Sequence, residues 1–219
     1  DVLALQEVEN RWYLERFLEV FLPDMGYEHV VLFEGNDPRG IDVALISRLP
    51  VGLVRSNRHM TFPDMQDKPM SFERDLLQVE LLPPRGKPLE MWVVHLKSNY
   101  EGREYAEPIR RSEAAFVRRM LDDRFAKDSA ARIIVCGDFN DVWDSATLQT
   151  LAGSGRLGMK TFVDDLAADN RVTYNKEPYL TMIDFLLFSP ALAESYTKNS
   201  YKVIAGSVGS SGSDHNPVS

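Results

Sequence analysis

One cysteine and four histidines in 219 residues leave little material for whole classes of chemistry. Cys136 has no partner within the chain, so there is no internal disulfide framework. No histidine/cysteine set has the spacing of a zinc site. No Walker-type phosphate loop occurs, and the stretch from Gly209 to Gly212 is too loose for one. No apolar run is long enough to span a bilayer, and no signal peptide opens the chain. Positive charge is also scarce. Lys and Arg number 25 against 33 Asp and Glu, a net charge of −8, which disfavours a broad basic surface for duplex nucleic acid. A bound divalent metal and a local Lys/Arg patch would offset that balance. The missing disulfides suit a reducing compartment and are also compatible with secretion, so the compartment stays open.

What is present is ordinary globular material: 44% hydrophobic and 26% charged residues, enough for a large core in a single domain over 1–219. Asp1 to Leu5 reads as the inside of a strand, and Pro217 to Ser219 as the entry to another. The expectation is a segment cropped at both ends from a longer protein. Leu14, Phe17, Leu18 and Phe21 recur at helical spacing, and Pro23 stops that helix. Strands are expected at Val30 to Phe33 and at Ile41 to Ser47, the latter with Pro50 to Asn57 as hairpin partner. Residues 58 to 73 read as a long surface loop. Leu76 to Leu82 and Leu89 to Leu96 read as a second hairpin, followed by a charged loop and a helix opened by Pro108. Ser145 caps a short helix that Gly153 ends. Residues 154 to 181 are irregular, with a strand suggested near Tyr174. Met182 to Phe188 and Tyr201 to Ala205 are strands, and Gly206 to Ser213 a Gly/Ser loop. Several strands are apolar on both faces, which calls for two packed sheets with helices outside.

The chain is organised around Ile133-Ile134-Val135-Cys136-Gly137-Asp138-Phe139-Asn140-Asp141, an apolar strand running into a polar cluster. Asp138 and Asn140 face the same way as long as the chain stays extended. An Asx turn is the plainer reading of the same residues. Other strand ends carry unusual polar groups too: Glu7, His95, Asp184 inside Ile183-Asp184-Phe185-Leu186-Leu187, and the pair Asp214-His215. A carboxylate inside an apolar run needs a cation, a metal or a histidine beside it. Carboxylates hold Mg2+ through hard oxygens, and a histidine held by a carboxylate deprotonates water. The set suits metal-assisted phosphoester hydrolysis.

In order, Leu5-Gln6-Glu7, Val94-His95-Leu96-Lys97-Ser98, Gly137-Asp138-Phe139-Asn140, Ile183-Asp184-Phe185 and Ser213-Asp214-His215-Asn216-Pro217 resemble the endonuclease/exonuclease/phosphatase superfamily, the DNase I-like fold. The resemblance implies an α/β four-layer sandwich of two packed, mostly antiparallel sheets flanked by helices. It implies Mg2+ as cofactor, with Mn2+ or Ca2+ as alternatives, and Glu7 as principal metal ligand with Asp214 beside it. His215 would be the general base, or the residue that orients the attacking water, held by Asp184. Asp138 and Asn140 would position nucleophile and scissile phosphate, and His95 would donate to a phosphate oxygen. The family's upstream asparagine falls before this chain begins.

Further residues are candidates for the substrate. Lys97 sits two after His95, though a solvated strand-end lysine fits equally. Arg74 and the Arg110-Arg111 pair are candidates for phosphate, against solvent-facing arginines. Asn99 lies in a loop that is a candidate to cover the site, and Asp42 is a candidate to orient His95. Tyr174 and Trp143 are either base-stacking or core aromatics. The expected substrate is nucleic acid, with a phosphorylated small molecule or lipid as the alternative. A non-catalytic binding module on the same fold is the third reading.

Overall fold

The computed structural model describes residues 1–206 and 212–219. The Gly/Ser loop expected from 206 to 213 falls largely outside the described residues. In chain order the elements are β1 (Val2–Val8), α1 (Arg11–Phe21), β2 (His29–Leu32), β3 (Asp42–Ser47), β4 (Val51–Ser56), β5 (Phe62–Pro63), β6 (Pro69–Met70), β7 (Leu77–Leu81) and β8 (Leu89–His95). They continue with α2 (Arg103–Lys127), β9 (Ile133–Asp138), α3 (Ala146–Ala152), β10 (Asp184–Phe188) and α4 (Pro190–Ala193).

Among the described residues two main sheets form, one ordered β1-β3-β2 and the other β10-β9-β8-β7-β4. Neighbours pair antiparallel except β8 and β9, which run parallel and are joined by α2, as a parallel pair requires. Strand alternation sorts the apolar residues into three cores. Val31, Val43 and Leu45 meet Leu77, Val79, Leu81, Met91, Val93 and Cys136 between the sheets. Leu14 and Leu18 of α1 cover Leu32, Ala44 and Ile46 on the outside of the small sheet. Phe116, Val117 and Leu121 of α2, with Leu148 and Leu151 of α3, cover Trp92, Val94, Val135, Phe185 and Leu187. The result is the expected four-layer α/β sandwich. Cys136 is packing between the sheets, and burial pushes its thiol up to about 12.

The local signals behave as their chemistry dictates. Asn10 caps α1 by accepting from the Tyr13 N–H, and Ser145 caps α3 by accepting from the Leu148 N–H. Gly137 takes φ +133°, and a Cβ there would lie 2.0 Å from the Val94 carbonyl oxygen, so only glycine fits the last turn of β9 before the site.

Four expectations are corrected. β4 does not hairpin back onto β3; it crosses to the other sheet and pairs with β7. Adjacency in sequence suggested the hairpin, whereas the long-range pairing gives β4 a partner in the larger sheet. Residues 58 to 73 are not all surface: Phe62 and Phe72 are buried and pack on Phe116 of α2, while β5 and β6 pair across the loop. α2 starts at Arg103, not at Pro108, which lies inside the helix behind a Gly102 cap. Where a strand was expected from Tyr201 to Ala205, a single bridge, Val203 with Val218, forms among the described residues.

Candidate active site

The strand registers assemble the site. His95 is the cross-strand partner of Asp138, and Asp138 is the partner of Asp184. All three share the parity of the residues that fill the core between the sheets: Met91 and Val93 on β8, Ile134 and Cys136 on β9, Leu186 on β10. They therefore form one transverse row at the end of the large sheet, on its inner face. Residues widely separated in the chain meet here because the ends of β8, β9 and β10 coincide.

His215 completes the row from a distant segment. It bridges to Tyr174, whose ring lies 5.2 Å from the imidazole, and its Nδ1 donates to Asp184 Oδ2 at 2.9 Å. Asp138, Asp184 and His215 offer ligand atoms all within 4.8 Å of one another. Expected metal residues Glu7 and Asp214 are not members of this tightest group. Glu7 stands at a bulge in β1, between the pairings of Leu5 and Val8, with φ +58°. Among the described residues its exposed carboxylate has no hydrogen-bond or ion-pair partner. Asp214 immediately precedes His215 and its carbonyl accepts the Asn175 N–H at 2.9 Å.

Asn140 is not extended beyond Asp138. It adopts φ +51°, its N–H donates to Asp138 Oδ1 at 2.7 Å, and its Nδ2 donates to Asp138 Oδ2 and to the Leu96 carbonyl, both at 3.0 Å. The Asx turn and the site thus coexist: the turn holds the Asp138 carboxylate by both oxygens. His95 Nε2 faces Asp138 Oδ2 at 3.4 Å, and its side chain is only 3% exposed. The buried imidazole thus stands against the Asp138 carboxylate, and its Nδ1 has no hydrogen-bond partner among the described residues.

Charge in the row is under tension. Burial, with Asp184 adding repulsion, pushes the Asp138 carboxyl up to about 7. Burial alone would lower His215, but its hydrogen bond to Asp184 outweighs this and raises it to about 9. Burial, helped by the nearby Arg74, His215 and Arg39 charges, keeps His95 neutral, well below the usual imidazole range. Both upward shifts have one consequence for stability. The His215 contribution is fully present below its ordinary 6.5 and is lost as pH rises through about 9. Asp138 keeps its proton in the folded state up to about 7 while the unfolded chain loses it near 3.8, so stability again falls with rising pH. The metal-free protein, scanned by calorimetry in chelator, is expected to melt at progressively lower temperature as pH rises from about 5 to about 9. His215→Gln should flatten the portion of that slope above 6.5.

The outer candidates are placed as follows. Arg74 is 1% exposed at its side chain, with Nη1 on Asp37 Oδ2 at 3.1 Å and Nη2 on the Leu96 carbonyl at 2.8 Å. Arg110 is fully buried, donating to the Lys97 carbonyl and Asn99 Oδ1 at 2.9 Å each. Neither is the solvent-facing or phosphate-facing arginine that sequence suggested; both are internal struts. Lys97 Nζ is held by Glu73 and Glu101, each at 2.7 Å. Asn99 reaches the site rim, its Nδ2 on the Asn140 carbonyl at 3.4 Å. Asp42 does not orient His95; its Oδ1 accepts the Gly35 N–H at 2.6 Å. Trp143 packs on Phe185 in the core, and Tyr174 lies against His215. Sequence reasoning missed Glu113, a buried α2 carboxylate that accepts the Lys97 N–H at 2.8 Å and that burial raises to about 7. It also missed Asp141, which holds the Thr147 hydroxyl and pairs with Arg110. A charged residue on an apolar helix face was the available signal for Glu113.

Two carboxylates, one of them gripping a histidine, thus stand together at the end of a buried sheet in a four-layer sandwich. The chain belongs to the Endonuclease/Exonuclease/phosphatase family, which matches it over residues 1–211. Solved structures agree on the fold. The human Nocturnin catalytic domain, solved with bound sulfate, superposes with a TM-score of 0.65 at 21% identity, covering 86% of this chain and 69% of that one. D. rerio TDP2 complexed with single strand DNA product gives 0.64 at 18%, covering 100% and 84%. Sphingomyelinase C from Streptomyces griseocarneus gives 0.65 at 17%, covering 100% and 85%. A search of the curated proteins finds no match.

Proposed function

We propose that residues 1–219 act as one domain that hydrolyses nucleic-acid phosphodiesters with a divalent metal, most simply Mg2+. The observation that carries the reading is the 2.9 Å Asp184–His215 pair beside Asp138. Asp184 fixes Nδ1–H of His215 and holds the imidazole as a cation up to about 9; with a divalent ion on the Asp184 side offsetting that carboxylate, the neutral ring is favoured and Nε2 is free to take a proton from water. The Asp138 carboxylate, held at both oxygens by Asn140 and with His95 Nε2 3.4 Å from Oδ2, aims that water and the phosphate. The donor set fits a hard cation: Asp138 and Asp184 crowd negative charge that His215 and the more distant Arg74 offset in part, and the Glu7 carboxylate, without a partner among the described residues, stands at the adjoining sheet. Glu7, Asp214, Asp138 and Asp184 would hold the ion. When bound it would polarise the phosphoryl oxygen and stabilise the leaving oxygen.

The D. rerio relative is a DNA complex, which favours nucleic acid. The net charge of −8 and the sphingomyelinase C likeness favour a lipid or small phosphate ester as the second reading. The full-length protein with Mg2+ is to be assayed against supercoiled plasmid, single-stranded DNA, RNA, inositol phosphates and sphingomyelin. Cleavage of one of the nucleic acids is the expected result. Turnover confined to sphingomyelin or inositol phosphates would move the assignment to the second reading, and no turnover at all would sink both.

A further inference from the structure

Between β2 and β3 the chain makes a turn, Asp37-Pro38-Arg39-Gly40, which sequence marks only as a loop. The Gly40 N–H donates to the Asp37 carbonyl at 3.0 Å and Gly40 takes φ +64°. Asp37 then grips Arg39 at three points: Oδ1 accepts from the Arg39 N–H at 2.9 Å and from Nε at 3.1 Å, and Oδ2 accepts from Nη2 at 2.9 Å. Among the described residues Nη1 of Arg39 makes no hydrogen bond, and the side chain is 53% exposed. A long side chain on a surface turn is thereby held still with one face of its fork open.

Two observations say what that open face is for. Asp37 is itself anchored from beneath, where the buried Arg74 donates to it at 3.1 Å while also pairing with Glu73 at 2.8 Å. Arg74 in turn donates to the Leu96 carbonyl, which also accepts Asn140 Nδ2, whose other bond is to Asp138. An unbroken chain of hydrogen bonds therefore runs from Arg39 through Asp37, Arg74, Leu96 and Asn140 to the Asp138 carboxylate. Arg39 is also close enough for its charge to be felt by Glu7 and by His95. The turn thus fixes a guanidinium relative to both sides of the site, the Glu7 side and the Asp138 side.

We propose that Arg39 is a substrate-contacting residue that receives a phosphoryl oxygen at the open face of its guanidinium, with Asp37 and Arg74 as its positioning residues. The proposal rests on the phosphoesterase reading above and supplies the phosphate contact that the buried Arg74 and Arg110 are not placed to make. A guanidinium suits the task because its planar donors match phosphate oxygens, and pre-ordering by Asp37 reduces the entropy lost on binding.

The test compares full-length wild type with Arg39→Gln, Arg39→Lys and Asp37→Asn. Inorganic phosphate binding is followed by 31P line broadening, which needs no turnover, alongside KM and kcat on the substrate that the assay panel identifies. Arg39→Gln should weaken phosphate binding and raise KM by about tenfold, with kcat and the thermal midpoint near wild type. Arg39→Lys should recover only part of the loss, since it restores charge without the fork. Asp37→Asn should show a smaller loss of the same kind. Phosphate that fails to bind wild type, or that binds Arg39→Gln within twofold of it, overturns the proposal. Absence of turnover in wild type counts against the phosphoesterase reading alone, because the phosphate titration still decides Arg39.

Discussion

His215→Ala is expected to lower kcat for phosphodiester hydrolysis by roughly a thousandfold while leaving KM near wild type. The expectation follows from what the imidazole touches. Its Nδ1 is bound to Asp184, and the segment holding it is anchored by the Tyr174 bridge and by Asn216, whose Nδ2 donates to the Val172 carbonyl at 2.8 Å. The ring is therefore oriented before substrate arrives, and removing it deletes the acceptor for the water proton. Asp184→Asn tests the same pair differently. The amide retains the shape but cannot stabilise imidazolium, so kcat should also fall, and His215 should titrate closer to its ordinary 6.5 by NMR. A fall in His215→Ala traced wholly to KM would remove the imidazole from the chemistry and leave it a binding contact.

Glu7→Gln carries the second large effect. Glu7 follows five strand residues of β1 and sits at the bulge with a positive φ, its carboxylate exposed. A left-handed conformation at a glutamate costs of order 1–3 kcal/mol and persists where the surroundings fix it, a signature of sites rather than of idle strand ends. Glutamine preserves size and hydrogen bonding but forfeits the anionic oxygen. Metal affinity, read by calorimetric titration with Mg2+ or Mn2+, should fall beyond the roughly 10- to 100-fold typical of losing an outer-shell partner. Activity should fall with it and recover in part at high metal concentration. Unchanged metal affinity would place the ion on Asp138, Asp184 and His215 alone, the tightest donor group.

That Asp138 and Asp184 would meet was legible because period-2 alternation and burial leave few options. Asp184 in an apolar run and Asp138 at the end of Ile133–Asp138 had to face something, and register makes each the other's partner. The same logic put two sheets face to face with helices outside. What escaped depends on pairing between segments far apart in sequence. The crossing of β4 to β7 is one case, since nothing in Val51 to Ser56 distinguishes a hairpin partner from an edge strand of the other sheet. Arg74 is another. As letters, an arginine beside a strand reads as facing phosphate or solvent. The fold buries it as a strut, because only the folded chain places the Asp37 carboxylate and the Leu96 carbonyl against it. The Asx turn at Asp138 and Asn140 shows a subtler limit: two readings that compete in sequence are the same structure in space.

The most direct measurement is the rate of bis(4-nitrophenyl) phosphate hydrolysis, with Mg2+, by the full-length protein carrying Glu7→Gln and His215→Ala together. This generic diester probes the chemistry without presuming the natural substrate. The wild type should turn it over and lose that activity in chelator, and the double variant should fall to the uncatalysed background. Turnover by the double variant within about tenfold of wild type would contradict the assignment of metal grip and general base on which the account stands.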